Sequence, residues 1–325
     1  MADEFKLIMI SAVYENGGNT THRMLDGHPE LFAYPFESQL GTSLVNDYLT
    51  SYVPFRYRWP EFALTGTIEQ DYELFYDEEM KTMLRVPERS KFRHADMKIN
   101  ETDRKQKYFE CMKGKPRTRA TAVEAFFRST FDAWTNVQRT GKEKAYLGYS
   151  PVLVLDSEKI MADFPNGHII HVVRNPYSGF ADTSKRPFPP GLERYTWTWN
   201  YCQLMALTYA ERFPKNFHIV RFEDLVADRK GTMSKLCSKL GLSWSETCMY
   251  PSWNGVELKE VYPWGTVRTA TTAANLATAD LLTDAQKAEI KSLSIVTQRA
   301  LGYENFWISG AAGGAMDGGA KARAA

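Results

Sequence analysis

FKLIMISAVYENGGNTTHRML spans residues 5–25 and decides the reading of everything around it. From Phe5 to Val13 apolar side chains fall on both faces of an extended chain, as in a strand buried inside a parallel sheet. Asn16-Gly17-Gly18 closes that run, and Asn19-Thr20-Thr21-His22-Arg23-Met24-Leu25 opens with polar capping types and passes into helical spacing. A strand, a glycine-rich turn and a helix form a βα unit whose helix start offers free backbone N–H groups to an anion. Thr20 and Thr21 add hydroxyls at that point. The pattern G-x-x-x-x-G-K-[ST] does not fit, because Val13 stands at its first Gly and Asn19 at its Lys. A G-x-G-x-x-G fingerprint is absent too.

Working outward, HIIHVV (168–173) repeats the buried-strand signal before Arg174-Asn175-Pro176, and FHIV (217–220) repeats it before Arg221-Phe222-Glu223-Asp224-Leu225. Helical spacing is clearest over 119–139, 192–213, 229–240 and 284–301. Strands alternating with long helices predict an α/β fold with a central parallel β-sheet flanked by helices. Residues 1–308 read as one domain. Within it, 54–117 mixes aromatic and charged residues without a sheet period and reads as an irregular, partly helical insertion that can cover an acceptor site. The Gly/Ala stretch 309–325 has nothing to bury and reads as a disordered tail.

With 40 Lys+Arg against 39 Asp+Glu, the chain has no basic excess for bulk binding to nucleic acid or a membrane surface. Aromatic residues make up 13%, enough for a sizeable core. Cys111, Cys202, Cys237 and Cys248 show no C-x-x-C spacing, so they read as buried thiols and no metal site is expected. The apolar stretch Leu7–Val13 is too short for a membrane span, and the expectation is a soluble cytoplasmic protein.

Four segments together resemble the sulfotransferase family, which uses 3′-phosphoadenosine 5′-phosphosulfate (PAPS) and releases the bisphosphate PAP. LIMISAVYENGGNTTHRMLDGHPELFAYPFE is similar to its 5′-phosphosulfate segment, His28-Pro29-Glu30 and Glu37 included. FPNGHIIHVVRNPYSGFADTSK resembles its 3′-phosphate segment, FHIVRFEDLVADRKGTMSKLCSKLGL its Arg-Tyr-Glu-Asp-Leu-Val helix, and PWGTVRT (263–269) its donor-closing loop. The resemblance implies a P-loop NTPase-like sulfotransferase fold and transfer of a sulfuryl group to a hydroxyl or amine of a small-molecule or carbohydrate acceptor.

Carried over residue by residue, it implies donor contacts from Gly17, Gly18, Asn19, Thr20, Thr21, Arg23, Arg174, Asp182, Trp264, Gly265, Thr266 and Arg268. Glu37 is the expected base and His22 the second candidate. Two positions depart from the family pattern. Gly17 stands where the family has a basic residue, and Asp182 where it has a Ser eight residues after the phosphate-binding Arg. A carboxylate at short range from a phosphate repels it by about 4 kcal/mol at moderate screening. Thr183 or Ser184 can replace the hydroxyl, and Arg23, Lys185 or Arg268 the cation. Glu223 and Asp224 read as helix-capping and sheet-bracing residues. Trp197 and Trp199 read as core or pocket wall. The basic run Arg56, Arg58, Arg85, Arg89, Lys91 and Arg93 reads as a solvated surface that can meet an anionic acceptor. Two alternatives remain open at this level: a different donor on the same fold, or nucleotide binding without turnover.

Overall fold

In a computed structural model, the structure describes residues 5–63, 65–261, 263–265 and 271–309. Five parallel strands, β1 (Leu7–Ala12), β2 (Leu31–Ala33), β3 (Ala145–Tyr149), β4 (His168–Val173) and β5 (Phe217–Arg221), lie in the order β2-β3-β1-β4-β5. Every residue of β1 is buried, and its neighbours are in register from Leu7 opposite Tyr146 to Ala12 opposite Val172. The continuous apolar run therefore marks the middle of the sheet, covered on both faces. β2 and β3 are less legible because β2 has only three residues and Phe32 and Tyr146 are only partly buried, each packed against Phe131.

The helices follow in chain order: α1 (Gly18–Asp26), α2 (Ile68–Leu74), α3 (Glu78–Arg85), α4 (Glu101–Met112), α5 (Arg119–Ala133), α6 (Ser157–Asp163), α7 (Pro176–Thr183), α8 (Leu192–Arg212), α9 (Phe222–Ala227), α10 (Arg229–Leu240), α11 (Thr272–Asp280) and α12 (Asp284–Ala300). Two cores result. One face of the sheet packs Ile8, Ile10, Met24 and Leu25 against Leu236 and Leu240 of α10. The other packs Met9, Phe127, Phe164, Trp199 and Phe217 beneath α5 and α8. The helix expected over 119–139 ends at Ala133, where Trp134 takes an extended conformation and Ile99 bridges to it.

The stretch 54–117 is partly helical, with α2, α3 and α4 in it, and it is tied into the core. Tyr57, Trp59, Tyr72, Phe75, Tyr108 and Met112 are buried in the second core. Arg58, read as surface, is 1% exposed and forks onto Asp156 and Asp47. Arg104 is equally buried on Asp77, with Thr130 and the Tyr34 hydroxyl completing its partners. Paired, hydrogen-bonded charges of this kind fix one geometry, and losing one partner would strand the other. The tail beyond Ser309 lies outside the described residues, and Ser309 itself closes a last short helix from Phe306. Among the described residues no helix is long and apolar enough to cross a membrane.

Candidate functional site

The C-terminal ends of β1, β4 and β5 open onto a cavity of about 210 Å³. β1 has β3 on one side and β4 on the other, so the chain reverses its direction across the sheet here, where open α/β sheets bind ligands. Gly17 caps α1 with φ +91° and supplies no side-chain acceptor, so the first N–H groups of the helix stay open toward the cavity. A Cβ on Gly17 would meet the Phe222 ring at 2.4 Å, and one on Gly18 would meet Tyr149 at 2.6 Å. The missing basic residue at position 17 therefore has a steric cause: Phe222 occupies its space and the backbone is left-handed.

Gly17, Gly18, Asn19, Thr20, Arg23, Glu37, Arg174, Asp182, Trp264 and Gly265 all line this cavity. Thr21 does not, because its hydroxyl donates back to the Gly17 carbonyl at 3.0 Å. Thr266 and Arg268 lie outside the described residues. His22 is also away from the lining. Arg23 donates to its Nδ1 at 2.8 Å, its buried Nε2 has no partner, and burial beside Arg23 pushes its pKa well below the ordinary value. An imidazole so enclosed is poorly placed to take a proton from a bound molecule.

Arg23 itself is 2% exposed and pairs with Asp26 at 3.5 Å while donating to the Pro35 carbonyl. Its guanidinium lies over the Trp253 and Trp264 rings, with centroids at 5.6 and 5.7 Å. Trp264 packs on Trp253 and Phe92, and its carbonyl accepts from the Asn19 side chain. Trp199 is core, donating its indole N–H to the Arg174 carbonyl, whereas Trp197 is exposed beside a separate groove of about 730 Å³.

Arg174 is fastened from several directions. Its Nε donates to Asn275, and its Nη1 to the Glu15 carbonyl at 2.9 Å and to Asp182 at 2.8 Å. Asp182 also takes Lys185 at 2.7 Å. The carboxylate that should repel a phosphate is thus held between two cations, and Lys185 is bound to it. Neither Thr183 nor Ser184 takes over as a hydroxyl donor to the cavity, since both bond backbone carbonyls of their own helix. Glu223 braces the site from behind through Asn175, Asn275 and the Tyr303 hydroxyl.

On the opposite wall, Glu37 follows β2 and meets residues of the 54–117 stretch. Glu79 accepts the Glu37 N–H at 3.0 Å and pairs with Lys91 at 2.6 Å. Burial, with Glu79 alongside, pushes the Glu37 carboxyl up to about 7, and Lys91 opposes the rise. A carboxyl poised there is matched to proton transfer near neutrality. Glu79, Lys91, Phe92 and Arg186 also line the cavity and were not among the expected site residues. Only Lys91 carried a signal, as a member of the basic run. The other proximities depend on how the insertion folds. Overall, Arg23, Lys91, Arg174 and Arg186 face Glu15, Glu37, Glu79 and Asp182, a balanced set among the described residues.

The thiols hold a second correction. His28, Cys237 and Cys248 come together behind α1 with their ligand atoms within 4.8 Å of one another, a Cys/His cluster that sequence spacing hides. Both His28 nitrogens are already engaged, Nε2 at the Ser243 carbonyl and Nδ1 at the Glu30 N–H. The cluster is sealed in the core, away from the cavity lining.

Comparison with known proteins adds to this geometry. Residues 17–246 match the model of a family described as "Sulfotransferase family". The sulfotransferase domain from the curacin biosynthetic pathway superposes with a TM-score of 0.52 at 16% identity, covering 93% of this chain and 99% of its own. A sulfotransferase from Alicyclobacillus acidocaldarius gives 0.40 at 14%, with 87% and 99% covered. The Mycobacterium avium sulfotransferase STF9 gives 0.42 at 12%, with 92% and 77% covered. No curated protein sequence matches the chain.

Proposed function

The chain belongs to the sulfotransferase family, and on that premise we propose that the cavity transfers a sulfuryl group from PAPS to a hydroxyl or amine of a small-molecule or saccharide acceptor. The observation that carries this reading is the arrangement of one cavity: an open helix start at Gly17–Thr20, Arg174 at the end of β4, and Glu37 facing them. The open N–H groups of α1 receive the 5′-phosphosulfate end and Arg174 the 3′-phosphate. The acceptor oxygen or nitrogen attacks sulfur as the bond from sulfur to the bridging phosphate oxygen breaks. Its proton passes to Glu37, and PAP leaves with the bridging oxygen. Sulfuryl transfer then rests on positioning and charge stabilisation, as phosphoryl transfer does. Arg23, Lys91 and Arg186 are the other described cations that line the cavity, each paired with an acid, and Glu79, Lys91 and Phe92 of the insertion line its acceptor side.

The balanced charge of the cavity favours a second reading, a relative that binds a nucleotide without turnover. One experiment separates them. Thermal unfolding is measured with PAP, ADP and adenosine 5′-phosphosulfate, and sulfate transfer from PAPS is assayed with wild type and Glu37→Gln. PAP at 100 times its Kd should add about 2.7 kcal/mol of stability. Glu37→Gln should keep that shift and lose about 10²-fold in turnover. No PAP shift removes the donor assignment. A PAP shift without transfer to any tested acceptor class supports the binding reading.

A further inference from the structure

Glu37 does not stand alone on its wall. Glu79, on α3, is mostly buried and touches Glu37 through the backbone, with Oε2 accepting its N–H at 3.0 Å. Lys91, on the segment after α3, closes on the other Glu79 oxygen at 2.6 Å. The Gln39 amide donates to the Glu37 Oε2 at 3.3 Å. Two carboxylates and one ammonium from three parts of the chain thus converge on the edge of the cavity. We propose that Glu79 and Lys91 form one positioning unit for the Glu37 base: Glu79 holds the Glu37 backbone and sets a second carboxylate beside it, and Lys91 holds Glu79 in place. The inference rests on the reading of Glu37 as the base.

The physical ground is that a second carboxylate held nearby disfavours ionisation of the first, while a cation on the pair restores it. Burial is the main reason the Glu37 carboxyl is pushed up to about 7, with Glu79 adding to the rise and Lys91 opposing it. The other groups facing Glu37 are Arg186, beyond α7, and the Tyr14, Tyr57 and Tyr149 hydroxyls. Arg186 is tied to Glu15 at 3.0 Å. Both substitutions leave these side chains in the sequence, so a midpoint shift points back to positions 79 and 91.

The test is a carboxylate titration of Glu37 by ¹³C NMR on the ligand-free protein, in wild type, Glu79→Gln and Lys91→Met, paired with pH profiles of kcat/KM. Gln at 79 still accepts the Glu37 N–H but carries no charge. The expected result is a Glu37 midpoint at least one pH unit lower in Glu79→Gln and higher in Lys91→Met, with the acid limb of kcat/KM moving the same way. An unmoved midpoint in correctly folded Glu79→Gln overturns the proposal, since a purely structural Glu79 would survive that change. If Lys91→Met also leaves the midpoint in place, the same conclusion holds. Because the titration needs neither donor nor turnover, it decides the unit separately from sulfuryl transfer. A shifted midpoint in a protein that never transfers sulfate would refute the functional reading and keep the unit.

Discussion

The two walls of the cavity are built from different materials. On the α1 side, the groups offered to a ligand are mainly backbone N–H groups, set by a left-handed Gly17, a close-packed Gly18 and the strand buried before them. On the Glu37 side they are side chains, Glu37, Glu79 and Lys91, placed by an insertion that contributes no strand. A backbone site tolerates change only where its dihedrals and clearances allow. A side-chain site can be retuned by single substitutions, because charge rather than shape defines it. On the proposed reading, the first wall would hold the anionic donor and the second would act on the acceptor.

The sharpest attempt to break the contrast is to restore the family's basic residue with Gly17→Arg. If the first wall is fixed by backbone and clearance, no side chain can be added cheaply. A Cβ at 2.4 Å from the Phe222 ring, combined with φ +91°, should cost about 3 kcal/mol or more. Chemical denaturation reads this directly. Adding Phe222→Ala should recover part of the loss, and a Gly17→Arg protein as stable as wild type would show that this wall yields.

That residue also shows where sequence was informative. Gly17 stood out as a departure from the resemblance, yet its cause, Phe222 at the start of α9, lies 205 positions away and only the fold brings the two together. The strands β1, β4 and β5 were legible because complete burial in β1 and substantial burial in β4 and β5 write themselves as largely apolar runs. α10 was legible from its spacing over 229–240, and the structure ends it at Gly241 in a left-handed turn. By contrast, Glu79 sits among other charged residues on α3 with no local pattern to mark it. Asp182 was legible as an obstacle, while its neutralisation by Arg174 and Lys185 needed the helix geometry of α7.

The second wall predicts a stability signature. A carboxyl raised to about 7 in the folded protein, against an ordinary value near 4.5, holds its proton longer folded than unfolded. Stability is therefore lost as pH rises from about 4.5 through 7, and the deficit is complete above that. Glu37→Gln removes the titration. It should match wild type at pH 4 and be more stable at pH 8 by about 1–2 kcal/mol, a figure already reduced for the partial solvent access of Glu37. Urea unfolding at the two pH values measures it. Equal stability at both would mean the Glu37 carboxyl is not raised, and the contrast between the walls would lose its energetic half.

The smallest expected effect tests whether the first wall has a retunable element of its own. Asp182→Ser restores the residue type the resemblance expects. It removes one of the four acids that face the cavity among the described residues and releases Arg174 Nη1 from a 2.8 Å ion pair. A released guanidinium offers another donor to a phosphate, and the repulsion from a neighbouring carboxylate disappears. Against this, Asp182 holds both Arg174 and Lys185, so its loss frees two side chains that must be ordered again on binding. The ion pairs are partly solvent-exposed, which keeps each contribution small. The balance predicts PAP binding tighter by about 3-fold, with stability lowered by less than about 1 kcal/mol. Calorimetric titration of PAP resolves a change of that size. Arg174→Ala is the control, which should weaken PAP more than adenosine 5′-phosphosulfate because only PAP carries the 3′-phosphate. If Asp182→Ser weakens PAP instead, the carboxylate orients Arg174 for the ligand rather than competing with it, and the balanced charge of the cavity is part of how the donor is held.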